Sequence, residues 1–202
     1  MVKTVYFDLG NVLIFFSHSR MFLQLSSYCG LSIPAIKHLL LDENTLQQYE
    51  TGKIDTKKVF ELFQSASTHP ITLDAFRQAF SHIFSPNRDL WPLLKELKQE
   101  GIRLILLSNI SPCHFEKVSS DYPIFHLFDH KILSYEVGAC KPDPLIYKTA
   151  LEASYCEPAE CFYTDDVPEF IEGARRQGLH GEVFIGDEAL RKDLIARGCH
   201  LS

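Results

Sequence analysis

The chain has no CxxC pair. Its six cysteines (Cys29, Cys113, Cys140, Cys156, Cys161 and Cys199) fall at no metal-type spacing. Scattered singly, they read as reduced thiols and point to a cytoplasmic compartment rather than a disulfide-stapled secreted domain. Basic runs are short, none longer than two residues as in Arg175-Arg176, and the formal net charge is -6, which argues against a nucleic-acid partner. No apolar run approaches the ~20 residues of a membrane span, so no membrane role is expected. Met1-Val2-Lys3 leads straight into the first apolar run, and no secretory leader is expected ahead of it. Repeats and low-complexity tracts are absent. What remains is ordinary globular material: 202 residues, 46% hydrophobic and 23% charged, enough for one good-sized core with a small insertion.

The most informative stretch is Val5-Tyr6-Phe7-Asp8-Leu9-Gly10-Asn11-Val12-Leu13. An apolar run suits a strand buried on both faces, and Gly10-Asn11 signals a turn after it. Asp8 sits between the two. A carboxylate at the end of a buried strand is costly unless a cation or hydrogen bonds hold it. In open α/β sheets that end of the strand is where ligands bind.

From Ser17 to about residue 86 the pattern is helical, with no convincing strand. Ser17-His18 offers a helix start, and Arg20 to Tyr28 keeps helical spacing up to Cys29-Gly30. Ser32 with Pro34 opens a helix through Leu41, and Asn44 to Tyr49 is a shorter piece. Asp55 caps Thr56 to Ala66 with an apolar stripe of Val59, Phe60, Leu62 and Phe63, and Thr72 caps a helix carrying Phe76, Phe80, Ile83 and Phe84. Beyond Ser85-Pro86-Asn87 the pattern changes. Strands at 102–107, 131–134, 161–164 and 182–185 alternate with helices at 89–100, from Ser111, from Pro144, through Ala174 and at 187–197. Such alternation predicts a doubly wound parallel α/β sheet, Rossmann-like, with right-handed crossovers. Residues 1–16 and 87–202 form the expected core domain, and 17–86 an all-helical cap inserted after the first strand.

Three expected strand ends carry chemistry: Asp8, Ser108-Asn109 and Asp165-Asp166, with Lys141 at a helix start between the last two. In a parallel sheet these ends share one edge. Three carboxylates gathered there would repel unless a cation joined them. Mg²⁺ suits a few carboxylates, water and a substrate phosphate. Lys141 can neutralise an attacking carboxylate and a phosphoryl oxygen together, and Ser108 can donate to the same phosphoryl group. The set favours a phosphate ester as substrate, with Asp8 as nucleophile through an aspartyl-phosphate.

With these residues in view, the sequence closely resembles the haloacid dehalogenase-like hydrolase superfamily. The matching segments are Phe7-Asp8-Leu9-Gly10-Asn11-Val12-Leu13, Leu107-Ser108-Asn109, Gly138 to Tyr147 around Lys141-Pro142-Asp143-Pro144, and Tyr163-Thr164-Asp165-Asp166 followed by Glu172-Gly173-Ala174-Arg175. Their order and spacing match over essentially the whole chain. The insertion resembles the type-1 helical cap of that superfamily. The Asp-Leu-Gly-Asn form is most similar to the sugar-phosphatase branch that includes α-D-glucose-1-phosphate phosphatase, and to the phosphatase domain of soluble epoxide hydrolases.

The resemblance implies a phosphoric monoester hydrolase acting on a small phosphorylated metabolite with Mg²⁺. Asp8 would be nucleophile and metal ligand, Gly10 would offer its carbonyl, and Asp165 and Asp166 would complete the metal site. Ser108 and Asn109 would bind the phosphoryl group and Lys141 would orient and neutralise. Cap residues such as Arg20, Phe16 and Tyr49 would shape the substrate pocket, Arg20 as a substrate-binding group. Three departures stand out. Gly10 takes the place of the usual leaving-group acid, Phe15-Phe16-Ser17-His18 supplies no carboxylate nearby, and Phe170 replaces the usual Asn or Asp, with Glu169 one position earlier. His18 is a candidate stand-in acid. Two other readings stay open: a catalytically weak or inactive member that binds a phosphorylated ligand, and a metal-free 2-haloacid dehalogenase, against which the paired acids at 165–166 argue.

Overall fold

The computed structural model of the chain describes residues 1–201, the Asp42 side chain excepted. The chain enters through β1 (Thr4–Phe7), turns, and forms a short β2 (Ile14–Phe16). Five helices follow: α1 (His18–Cys29), α2 (Ile33–Lys37), α3 (Thr45–Glu50), α4 (Thr56–Ala66) and α5 (Leu73–Ser81). The chain returns through β3 (Phe84–Pro86) to α6 (Trp91–Gln99), β4 (Arg103–Ser108), α7 (Pro112–Asp121), β5 (His130–Leu133) and the single turn α8 (Ser134–Val137). It closes with α9 (Pro144–Glu152), β6 (Cys161–Asp165), α10 (Pro168–Arg176), β7 (Gly181–Val183) and α11 (Asp187–Ala196).

The main sheet runs β5-β4-β1-β6-β7 with every pairing parallel. β1 is central, and all four of its residues are buried because both faces are covered. Side chains alternate across the pleat. Val5 and Phe7 pack with Leu93, Leu94 and Leu97 of α6 and Leu190 and Leu194 of α11. Tyr6, Ile105 and Tyr163 face Ile146, Tyr147 and Ala150 of α9 and Ile171 and Ala174 of α10. The doubly wound parallel sheet expected from the sequence is therefore present. The chain leaves β1 toward β4 on one side and returns to β6 on the other, so the strand order reverses beside β1. Ligand crevices in open α/β sheets open at such points, at the carboxyl ends.

The helices between β2 and β3 have their own apolar centre, built from Met21, Leu25, Ile36, Tyr49, Val59, Phe63, Phe76 and Phe80. Ser17, Ser32, Asp55 and Thr72 each accept a hydrogen bond from the backbone three residues on, the N-caps that start four of these helices. Aromatic rings knit α4 to α5, with Phe63 and Phe76 centroids 5.2 Å apart. Two details differ from the sequence reading. β3 pairs antiparallel with β2 through Ile14–Pro86, Phe15–Ser85 and Phe16–Phe84, so the helical stretch is closed by a strand where none was expected. Three residues are too few for alternation to register, and Pro86 reads as a breaker although it is tolerated at a strand edge. The helix from Ile33 also gives way to a π-helical turn at His38–Asp42 rather than continuing to Leu41.

The helical block approaches the sheet domain closely at Gly52. Its φ is +68°, and a Cβ there would collide with the Tyr135 carbonyl oxygen. Gly101 has a φ of +76°, but a Cβ there would meet nothing within 4 Å. Gly52→Ala should therefore destabilise by more than the ~1–3 kcal/mol of left-handed strain alone, and by clearly more than Gly101→Ala, in urea unfolding. Equal losses would contradict the seating of the block.

Candidate active site

β1 registers with β4 at Phe7–Leu106 and with β6 at Phe7–Thr164. One residue further, Asp8 therefore stands level with Leu107 and Asp165. Neighbouring strands lie about 4.8 Å apart, so two carboxylates meet side by side at the end of the sheet. Lys141 sits between them. Its Nζ donates to Asp8 Oδ1 at 2.6 Å, to Asp165 Oδ2 at 2.6 Å and to the Leu107 carbonyl at 3.1 Å. These three bonds use every proton of the ammonium. The side chains of Lys141, Asp8 and Asp165 are 1%, 10% and 0% exposed. Burial by itself would lower the Lys141 pKa, but the charges of Asp8 and Asp165 outweigh it and hold the ammonium above its ordinary range. Burial raises the Asp8 carboxyl, Lys141 opposes this, and Asp165 adds to it.

Asp165 is tied further. The Tyr163 hydroxyl donates to its Oδ2, and the Val167 amide donates to Oδ1 at 2.9 Å. Burial and the nearby carboxylates keep the Tyr163 hydroxyl far above its usual pKa, so it stays a donor. Asp166, half-buried, accepts from Asn11 Nδ2 at 2.9 Å. Asn11 holds a φ of 54°, a left-handed conformation that Asn tolerates. Asp8, Asp165 and Asp166 each bring a carboxylate oxygen within 4.8 Å of the others. Three such charges against one ammonium leave a surplus that a hard divalent cation fits. Asp165 already accepts three bonds of the roughly four a carboxylate can take, so Asp8 and Asp166 have the freer lone pairs.

Ser108 ends β4, buried, and its hydroxyl makes one long contact of 3.4 Å to the Asn109 carbonyl. The Asn109 side chain is engaged elsewhere than the sequence suggested. Its Nδ2 donates to the Lys141 carbonyl at 3.0 Å and its Oδ1 accepts from the Lys141 amide at 2.7 Å. That pair clamps the Lys141 backbone and so fixes the loop that carries the ammonium. Gly10 follows Leu9 at the turn, and a Cβ there would lie 2.8 Å from Phe16 Cε1. A phenyl ring thus fills the space a side chain at position 10 would take. Phe170 places its ring 5.0 Å from Lys141 Nζ, a cation–π contact.

A cavity of about 120 Å³ is lined by Leu9 and Gly10, the two residues after Asp8, by Ser108 and Asn109 at the end of β4, and by Phe16, His18 and Glu50. Arg20 is not brought there. It lies exposed in the first turn of α1, where its amide donates to the Ser17 cap. Tyr49 is buried in the helical block, its hydroxyl bonded to Thr56 and to the Cys113 amide. Asn11 and Tyr163 lie in the motif segments without a site role assigned from sequence, and Glu50 carries no sequence signal. Tyr163 was findable, since alternate strand residues share a face and it precedes Asp165 by two.

A sequence profile described as a haloacid dehalogenase-like hydrolase matches residues 2–178. The chain is 26% identical over 191 residues to a phosphatase of Mycobacterium tuberculosis, covering 88% of this chain and 85% of that protein. It is 26% identical over 177 residues to a D-ribitol-5-phosphate phosphatase of Bacteroides thetaiotaomicron, covering 82% and 84%. In fold it is similar to a HAD family enzyme from Bacteroides thetaiotaomicron crystallised with magnesium and inorganic phosphate. The TM-score is 0.82 at 22% identity, over 93% of this chain and 96% of that one.

Removing the Lys141 ammonium should expose how tightly the charges depend on one another. With a chelator present, Lys141→Met should cost ~3–5 kcal/mol of folding stability, the usual penalty for an uncompensated buried charge. Asp8→Asn in that background should restore a substantial part. Strictly additive losses in the double-mutant cycle would contradict the coupling.

Proposed function

Since the chain belongs to the haloacid dehalogenase-like hydrolases, we propose that it is a Mg²⁺-dependent phosphatase of a small phosphorylated metabolite that works through an aspartyl-phosphate on Asp8. The observation that carries the reading is the buried Asp8 carboxylate, held by Lys141 at 2.6 Å and flanked by two further carboxylates next to a small cavity. Relatives named as phosphatases along most of their length support it. So does the enzyme of like fold crystallised with magnesium and phosphate. Residues 17–86 act as a cap on the core formed by 1–16 and 87–202, the β2–β3 ribbon joining the two.

Asp8, the Gly10 carbonyl, Asp165 and Asp166 would hold the metal, with Asp8 and Asp166 contributing most. When bound, Mg²⁺ supplies positive charge to the phosphoryl oxygens. Asp8 attacks phosphorus through the carboxylate oxygen that Lys141 does not hold. Lys141 fixes that carboxylate and offsets charge on the transferring group. The Ser108 hydroxyl, which among the described residues makes only a 3.4 Å contact to the Asn109 carbonyl, donates to a phosphoryl oxygen. Asn109 serves through its grip on the Lys141 backbone. Water then attacks the aspartyl-phosphate and frees Asp8. A metal-free dehalogenase fits less well, because two extra acids would face the nucleophile with a single ammonium between them.

Phosphate release from an aryl phosphate and from a panel of sugar and polyol phosphates should require Mg²⁺. Asp8→Asn should bring release down to assay background. Asp166→Asn should raise the Mg²⁺ concentration needed for half-maximal rate. Release from no panel member would leave the binding-only reading in place, and release undiminished in Asp8→Asn would overturn the mechanism.

A further inference from the structure

A phosphate ester of an aliphatic alcohol departs as a strongly basic alkoxide, and its cleavage is slow unless a proton is delivered to the leaving oxygen. The sheet edge has none to spare. All three Lys141 protons are taken by Asp8, Asp165 and the Leu107 carbonyl. Position 10, beside the nucleophile, is a glycine whose side-chain space is filled by Phe16. A donor therefore has to come from elsewhere in the cavity lining. Of the residues lining that cavity, His18, Glu50 and His114 are the ones that titrate.

His114 is committed. Its Nε2 lies 3.1 Å from the Phe80 carbonyl, to which it donates, and its ring stacks on Phe80 at 4.6 Å. Burial lowers its pKa to about 4, so at neutral pH it carries no further proton to give. His18 packs against Phe16 at 4.9 Å and Phe22 at 6.3 Å, and burial lowers it too, leaving it mostly unprotonated. Glu50 is different. It closes α3, and the Cys140 thiol contacts its backbone carbonyl at 3.8 Å, which anchors that helix end against the loop leading into Lys141. Among the described residues its carboxyl has neither a hydrogen-bond nor an ion-pair partner. Burial raises it to about 7, so near neutrality a sizeable fraction of molecules hold the proton.

We propose that Glu50, which lines the same cavity as Gly10 and Ser108 from the end of α3, is the catalytic acid that protonates the leaving alcohol. The inference rests on the phosphatase reading of the site. As the Asp8 oxygen bonds to phosphorus, the ester P–O bond breaks and its electron pair stays on the departing oxygen. That oxygen takes the Glu50 proton, giving the free alcohol, the aspartyl-phosphate and a Glu50 carboxylate. In the second half the carboxylate accepts a proton from the attacking water, which restores the acid and releases phosphate from Asp8. The catalytic apparatus is thus divided: nucleophile and cation on the sheet, proton on the cap. The acid reaches the substrate only with the cap seated.

The test compares leaving groups through kcat/KM, which reports steps up to alcohol release. The probes are p-nitrophenyl phosphate, whose phenolate leaves unaided, and whichever of glycerol phosphate or ethyl phosphate the wild type cleaves faster. Glu50→Gln should lower kcat/KM for the alkyl phosphate by ~10²–10⁴-fold and leave the aryl phosphate within a few-fold, which also shows that the variant is folded. Equal effects on both probes, or none on either, would overturn the assignment. So would a leaving-group-dependent loss appearing in His18→Gln and not in Glu50→Gln. A wild type inactive on both probes would instead overturn the phosphatase reading beneath it.

Discussion

The structure turns on one ammonium held between two carboxylates with almost no solvent. Asp8 and Asp165 are adjacent because β1 pairs directly with β6 in a register that sets them level. That adjacency would be repulsive in a low-dielectric setting without Lys141. Much else arranges the lysine. Asn109 grips its backbone on both sides, Tyr163 takes up a remaining lone pair of Asp165, and Phe170 lays a ring beside it. These groups act on the charge by fixing where it sits. A buried ion pair of this kind adds little to net stability, since desolvation offsets most of the attraction. Its value is a carboxylate held in one orientation.

The parts of this arrangement visible in the sequence are those governed by period and position. Buried runs, helix caps and turn residues marked the five parallel strands. Asp8, Ser108 and Asp165 could be assigned to one edge because parallel strands end together. The residues that escaped are those whose partners lie far off in sequence. Asn109 reads as a phosphate-facing amide until its 32-residue reach to the Lys141 backbone is seen. Arg20 reads as a cap residue near substrate, but helix phase turns it outward. β3 is three residues long and ends in proline, too little pattern for a period of two to show. Glu50 carries no motif, and only the packing of the helical block against the sheet domain brings it to the cavity.

Gly10 acquires a different meaning once Phe16 is seen. It is more than a turn residue lacking a side chain, because an aromatic ring occupies the adjoining space and walls the cavity. The β2–β3 ribbon contributes to the same wall. It delivers Phe16 to the cavity and joins the helical block to the strand that ends at Asp8.

The central claim is that Asp8 is the atom-bearing nucleophile of a phosphoryl transfer supported by the acidic cluster and Lys141. A crystal structure of the protein soaked with Mg²⁺ and fluoroberyllate tests it most directly. The account predicts beryllium bonded to an Asp8 carboxylate oxygen, Mg²⁺ against Asp8 and Asp166, and a fluorine within hydrogen-bond reach of Ser108 Oγ. Fluoroberyllate bound elsewhere, or Mg²⁺ found away from the Asp8–Asp165–Asp166 cluster, would contradict it.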